Sequence, residues 1–372
     1  MKAVSHQSFA LRITGMFSAA VVLAATAVSP ANAEDVAEMR RTLIVLSGAA
    51  LLNDAATAQG AASAFQRAMQ TRTMSGGATF DDATGKGVAL GSRDLVGWAS
   101  FTGERSHQNG ETGLFDVRGV NGAIGVDSRI GANTIVGGSL GVGNHNSQIN
   151  DQLGEARVNS VSLGVYASHL SDQQWLVNGG ASYTNHSLKT DRSSDTSGVS
   201  PRLKGNTRGN TFGAFGEVGR RNSVAGINVD STLGLRFLST RVNAFNETGG
   251  GDITAQNALK IGAQSRTSTR GIVGVRLWHE LVNVGGGKAI PSLRVAYEYE
   301  FGDKRSSLTN AFYGATRSFT VQSAKLGAHI VTADLGVDVQ FQKQLEVHVG
   351  GNMSARRGET SVGGGVSARY RF

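Results

Sequence analysis

Any chemistry performed by this chain must come from its acids, histidines and hydroxyls, because it contains no cysteine. Disulfides and thiolate metal sites are thereby excluded. The eight histidines are scattered, and neither H-E-x-x-H nor G-x-S-x-G occurs. His186, Asp191 and Asp195 fall near one predicted loop and could belong to an acidic or His/Ser constellation at a rim, but no motif supports a triad among them. No His/Asp/Glu cluster has the spacing of a metal site. Gly249-Gly250-Gly251, Gly285-Gly286-Gly287 and Gly363-Gly364-Gly365 lack the Lys-Ser/Thr that a phosphate loop places before a helix, so they read as turns or close strand contacts. The expectation is a protein with no catalytic residues, no metal and no cofactor.

The elements around these residues point to architecture instead. The chain has 372 residues, 51 glycines and 3 prolines, and no linker divides the part after about residue 93, so one large unit is expected there. Lys and Arg (36) exceed Asp and Glu (28), and the formal charge of +8 is spread along the chain rather than gathered on one element. Nucleic acid is therefore not an expected partner.

Residues 1–33 read as an export leader for the Sec translocon. Lys2 and Arg12 supply a positive start, Ile13 to Val28 is mostly apolar, and Ala31-Asn32-Ala33 follows Pro30 as a small-residue cleavage site. After it no stretch approaches the ~18 apolar residues of a spanning helix. A membrane form of this chain must then be a closed barrel.

Two periods divide the remainder. Over 34–92, Asp35 and Glu38 resemble a capping box, and Val36, Met39, Leu43, Leu46 and Ala50 step at helical spacing. Ala58, Ala62, Phe65 and Met69 continue the stripe, with Gly48 and Gly60 as weak points and a glycine-rich connector expected from Met74 to about Arg93. This slim, alanine-rich helix is expected to plug a pore, with Leu43, Leu46, Phe65 and Met69 orienting it. Over 93–372 the period is two, as in Leu293 to Phe301 and Val331 to Phe341.

Alternation alone does not separate a soluble sheet from a membrane barrel. Three features favour the membrane. The polar face carries Asp127, Arg129, Glu217, Asp230, Arg236, Arg270, Arg276, Arg294, Glu298, Glu300, Asp334, Asp338 and Glu346, both signs together, as a watery or plugged lumen would. Connections alternate in length: short at 131–133, 171–173, 221–223 and 342–344, longer at 105–116, 189–206, 243–264 and 303–322. Aromatics such as Trp175, Tyr183, Tyr297, Tyr299, Phe301, Phe341, Tyr370 and Phe372 sit on apolar faces near strand ends. Twelve strands are predicted, beginning near Leu95, Arg118, Ile135, Val158, Trp175, Thr211, Ala225, Arg270, Ser292, Val331, Leu345 and Val362. The fold class is therefore all-β, a twelve-stranded antiparallel outer-membrane barrel with an N-terminal helical plug.

From about residue 43 to 372 the sequence resembles the translocator domain of autotransporters, the type V secretion family. The resemblance rests on Leu46-Ser47-Gly48, Gly97-Trp98-Ala99, Ile124-Gly125-Val126-Asp127, Gly164-Val165-Tyr166-Ala167, the Pro291 to Asp303 segment and the terminal Arg369-Tyr370-Arg371-Phe372, in order. It implies a barrel in the Gram-negative outer membrane, a helix threaded through it and a passenger sent to the cell surface. It also implies that Tyr370 and Phe372 are the signal read by the barrel assembly machinery. Some members of that family release their passenger through an asparagine of the linker helix. Asn53 beside Asp54 is the candidate here, but the surrounding signature is absent and Asn53 reads as a polar lumen contact. One departure is expected to matter: fewer than about ten residues separate Glu34 from the helix, so the passenger reads as vestigial, with loop display or a narrow channel as alternatives. Outer-membrane lipids and lipopolysaccharide are the expected surroundings, with Arg192, Arg202, Lys204 and Arg208 as candidate phosphate contacts.

Overall fold

A computed structural model describes residues 42, 44–79, 95–110, 113–131, 133–149, 153–193, 202–249, 257–284, 287–341 and 345–372. The export leader, Leu43 and Asp195 lie outside these. After a 3-10 turn at Ala49–Leu51 comes one long helix, α1 (Asp54–Thr79). The strands follow as β1 (Leu95–Gly110), β2 (Gly113–Ile130), β3 (Thr134–Ile149), β4 (Gly154–Leu170), β5 (Trp175–Ser193), β6 (Arg202–Val224) and β7 (Ile227–Val242). Short strands β8 (Phe245–Asn246), β9 (Thr248–Gly249) and β10 (Leu259–Ile261) precede β11 (Gln264–Trp278), β12 (Leu281–Val284) and β13 (Gly287–Glu300). The chain ends with β14 (Ser307–Phe312), β15 (Phe319–Gln322), β16 (His329–Phe341), β17 (Leu345–Arg356) and β18 (Glu359–Arg371).

Twelve of these close into an antiparallel barrel: β1 to β7, β11, β13, β16, β17 and β18 pair in sequence, β11 bonds β13, and β18 returns to β1. Closure leaves no unpaired edge, and the Phe372 amide bonds the Leu95 carbonyl at 3.1 Å, bringing both ends of the barrel chain to one rim. Alternation turns the apolar row outward. Ile124, Val126, Leu140, Val161, Leu163, Val165, Leu233 and Leu235 are exposed, whereas the polar row is buried inside. This inside-out distribution is what a lipid solvent imposes.

Strands run beyond the predicted loops. β6 has 23 residues, against the ~9–11 that a tilted strand needs to cross hydrocarbon. The segment 105–116, expected as a loop, is mostly the ends of β1 and β2, paired up to Gly110 and Gly113. The short turn expected at 221–223 is strand, and the chain reverses instead at Ala225 (φ 52) and Gly226 (φ 81), two consecutive positive φ values that fit the right-handed twist of a hairpin.

The helix differs from expectation in two ways. Gly48, at φ 69, does break it, while Gly60 lies within unbroken α1. α1 also continues to Thr79, through residues expected as a connector from Met74. Described residues of the long connections 243–264 and 303–322 form strands: β8, β10, β14 and β15 join into a four-stranded sheet at the rim opposite the chain ends.

Two glycine substitutions should therefore act with opposite sign. A Cβ at Gly226 would make only an ordinary contact, 3.9 Å from the His279 ring, but must adopt φ 81, so Gly226→Ala should cost about 1–2 kcal/mol in guanidinium unfolding of the barrel in lipid vesicles. A Cβ at Gly60 meets nothing within 4 Å, so Gly60→Ala should raise the hydrogen-exchange protection of α1 by about 0.5–1 kcal/mol.

Candidate functional site

α1 lies inside the barrel, against the wall formed by β2 to β7 and β11. It can approach because the wall is small there. A Cβ at Gly164 would stand 2.5 Å from the Met69 sulfur, and one at Gly141 would collide with the Phe65 ring. Phe65 and Met69 are buried and pack with Trp98, Ala123, Tyr166 and Phe215. Leu46, by contrast, is exposed at 37% and does not belong to that contact.

Charged groups fix the end of α1 nearest the chain ends. Arg72 donates to both oxygens of Asp127 at 2.6 Å through Nε and Nη2, and the Tyr166 hydroxyl donates to the same carboxylate at 2.8 Å. Trp98 Nε1 donates in turn to the Tyr166 oxygen at 2.5 Å. One turn earlier Arg67 pairs with Glu104, which also bonds His145 at 3.1 Å. Arg276 reaches the helix from the wall, donating to the Met74 carbonyl at 2.9 Å.

Most of the acids and bases expected to line the lumen are tied across strands to charged neighbours on the inner face of the wall. Arg236 and Arg270 share Glu298 at 2.6 and 3.0 Å, and Arg270 continues to Glu300 at 2.9 Å. Arg294 bridges Glu217 at 3.1 Å and Asp334 at 3.8 Å. Asp230 accepts from Arg221 at 2.8 Å and from Trp278 at 3.0 Å, while Arg369 joins Glu346 at 2.6 Å and Asp338 at 3.5 Å. Arg129 continues the row of Asp127 near the end of β2 and is half-buried. Charges taken from water require such partners.

The helix does not fill the lumen. Beside it a cavity of about 220 Å³ runs along β13, β16, β17, β18 and β1, walled by glycines such as Gly336, Gly350, Gly351 and Gly364. Its far end is closed by contacts back to the helix: Asn53 donates to Gln108 at 3.1 Å, Gln108 bonds Glu359 at 2.9 Å, and Arg266 donates to Gln59 at 3.0 Å.

At that far rim residues 44–52 sit under the four-stranded sheet. Ile44, Val45, Leu51 and Leu52 share one apolar core with Phe115, Ile149, Leu153, Phe245, Leu259, Ile261, Leu308 and Val321. Asn310 donates to the Ser47 carbonyl at 2.8 Å and Gln264 to that of Leu51 at 3.0 Å. Arg192 completes the clasp. Wholly buried, it bonds Glu247 through two nitrogens and the Val45 carbonyl through Nη1 at 2.5 Å. Arg192 is therefore not the surface phosphate contact expected of it, and Arg202 pairs with Asp191. His186 is not at a rim either. It is buried in the wall between Ser160 and Thr211, 2.8 Å from each.

Sequence reading found the inner acids and bases but missed Arg67, Arg72, Glu104, Tyr166 and Trp98 as a group. A signal was present: Arg67 and Arg72 are the two cations of an otherwise nearly uncharged helix.

The autotransporter β-domain family model matches residues 97–352. An extracellular serine protease of Serratia marcescens is 24% identical over 287 residues, 74% of this chain and 26% of that protein. The autotransporter lipoprotein NalP of Neisseria meningitidis is 26% identical over 321 residues, 86% of this chain and 27% of that protein. This chain spans about a quarter of the length of the curated relatives it matches. The solved translocator domain of NalP superposes with TM-score 0.64 at 18% identity, covering 86% of this chain and 100% of that one. The β-domain of the Bordetella autotransporter BrkA gives 0.56 at 17% identity, covering 75% and 100%.

Arg72→Met leaves the Asp127 carboxylate buried without its cation, which should cost about 3–5 kcal/mol. The pair Arg72→Met and Asp127→Leu together should recover at least half of it. Hydrogen exchange of the α1 amides reads this local opening, and equal losses in the single and double variants would show that the pair does not hold the helix.

Proposed function

This chain belongs to the autotransporter β-domain family and is an outer-membrane protein, and from that premise we propose that its barrel carried the chain's own N-terminal segment outward and now anchors it at the cell surface. The observation that carries this reading is the thread itself. α1 passes through a closed barrel, with residues 44–52 at one rim and its C-terminal end at the rim that holds Leu95 and Phe372.

In this reading 1–33 is the leader removed after export, 34–92 is the linker with the segment carried outward, and 93–372 is the anchor. The rim with Leu95 faces the periplasm, and the clasped rim faces outward. The barrel acts by enclosure and electrostatics, without chemical catalysis. The paired inner charges line a polar passage that tolerates an extended chain, then grip the helix that follows it. Protease activity recorded in the name of the Serratia relative belongs to a protein of which this chain matches 26%. Tyr370 and Phe372 are exposed and stack edge-on at 5.2 Å, presenting a terminal aromatic pair to the assembly machinery. The sheet over residues 44–52 supports a sealed barrel over a passive channel.

An epitope inserted after Glu34 tests the proposal. It should be labelled by antibody on intact cells expressing the full chain. Labelling confined to permeabilised cells, with a periplasmic marker silent on intact ones, would place the N-terminus in the periplasm and reject outward passage.

A further inference from the structure

On the outer wall, four adjacent strands repeat one order of residues as they leave the apolar band toward the clasped rim. β4 presents Val161, Asn159 and Arg157. β6 presents Phe212, Asn210 and Arg208, and β7 presents Phe237, Ser239 and Arg241. β5 inserts one extra step, with Tyr183, Asn185, Ser187 and Lys189. Spacing by two keeps each series on one face, and Val161, Tyr183 and Phe212 are exposed there.

Register joins the series into rows. Tyr183 faces Phe212, and Asn185 faces Asn210. Arg157 lies directly opposite Lys189. Ser187 faces Arg208 and Asn210 faces Arg241, so Lys189, Arg208 and Arg241 are successive diagonal neighbours. Diagonal partners on a sheet lie ~7–8 Å apart, and like charges directly opposite destabilise the pairing. Arg157 is offset by Glu155 at 3.1 Å, and Asp191 is held by Arg202. Among the described residues no carboxylate lies within 4 Å of Lys189, Arg208 or Arg241. A rigid sheet thus displays three uncompensated cations in a row, one polar step above an aromatic edge where Phe212 and Phe237 rings stand 6.4 Å apart.

A row of this kind is complementary to an anionic group held at fixed depth in the membrane surface. We propose that the face formed by Arg157, Lys189, Arg208 and Arg241 docks the phosphates of lipopolysaccharide in the outer leaflet. Asn185, Asn210 and Ser239 lie one row below, where sugar hydroxyls would meet them, and Tyr183, Phe212 and Phe237 mark the start of the acyl region. Guanidinium groups can take phosphate oxygens two at a time, and the lysine adds a point charge. This rests on the outer-membrane location and the outward orientation of the clasped rim, but not on any passage of the N-terminus. Of the expected phosphate contacts it keeps Arg208, sets aside Arg192, which is buried against Glu247, and Arg202, which pairs with Asp191, and adds Arg157, Lys189 and Arg241.

The test uses the full chain purified as a barrel and fluorescent lipopolysaccharide in detergent, with heat-shifted gel migration confirming closure. Lys189→Gln, Arg208→Gln and Arg241→Gln combined should weaken binding about tenfold or more, as loss of three charge-assisted contacts implies. Lys304→Gln, Arg305→Gln and Lys325→Gln combined remove the same charge elsewhere near that rim and should change binding less than about twofold. Lipopolysaccharide stripped of its lipid A phosphates should bind the unaltered chain at least about tenfold more weakly. Equal losses in the two charge variants, undiminished binding of the dephosphorylated lipid, or mole-for-mole competition by phosphatidylglycerol would each overturn the proposal. The epitope result reports separately on outward passage, so either reading can fail alone.

Discussion

A backbone amide in hydrocarbon has no water to bond, and the pairing of β18 with β1 is what meets that constraint. Once the sheet is closed, all its other properties follow from one inversion. The apolar row must face lipid, so the polar row is driven into a confined interior. Confinement then demands partners, which is why the inner acids and bases occur as chains such as Arg236–Glu298–Arg270–Glu300 rather than as isolated charges. Removing any member leaves its neighbours desolvated, so these groups stabilise register as a set.

The helix exploits the same interior unevenly. It leans on the wall where Gly141 and Gly164 admit Phe65 and Met69, and leaves the opposite wall of Gly336, Gly350 and Gly351 uncovered. Tight packing on one side holds it by shape, and Arg67 and Arg72 hold it by charge. The remaining cavity is a consequence of fitting a cylinder of one helix into a barrel of twelve strands, whose width is set by strand number rather than by the plug.

Much of this was legible in the residues. Period-two alternation across Leu293 to Phe301 and Val331 to Phe341 fixes strands and their two faces, and twelve such segments give the barrel. The inner position of Asp127, Glu298 or Asp338 follows from parity alone. Other features were hidden for physical reasons. Turn position depends on backbone twist, so the reversal at Ala225-Gly226 looked no different from one at 221–223. Arg192 sits at a strand end where parity says little, and its burial is decided by Glu247, 55 residues away. The rim sheet was read as loops because its strands are two to six residues long, although Leu259 and Ile261 already alternate. Contacts distant in sequence and short in span leave the weakest periodic signal.

The rim sheet also constrains the order of events. Its apolar core contains Ile44, Val45, Leu51 and Leu52, which come from the threaded segment rather than from the strands around them. Arg192 and Asn310 likewise spend their donors on carbonyls of Val45 and Ser47. Without that segment the sheet would present a half-built apolar face and buried donors with no acceptor, a state that is costly on both counts. The clasp is therefore stable only after residues 44–52 have arrived at the rim. On the reading of outward passage, β8, β10, β14 and β15 complete their shared core only when residues 44–52 reach the rim.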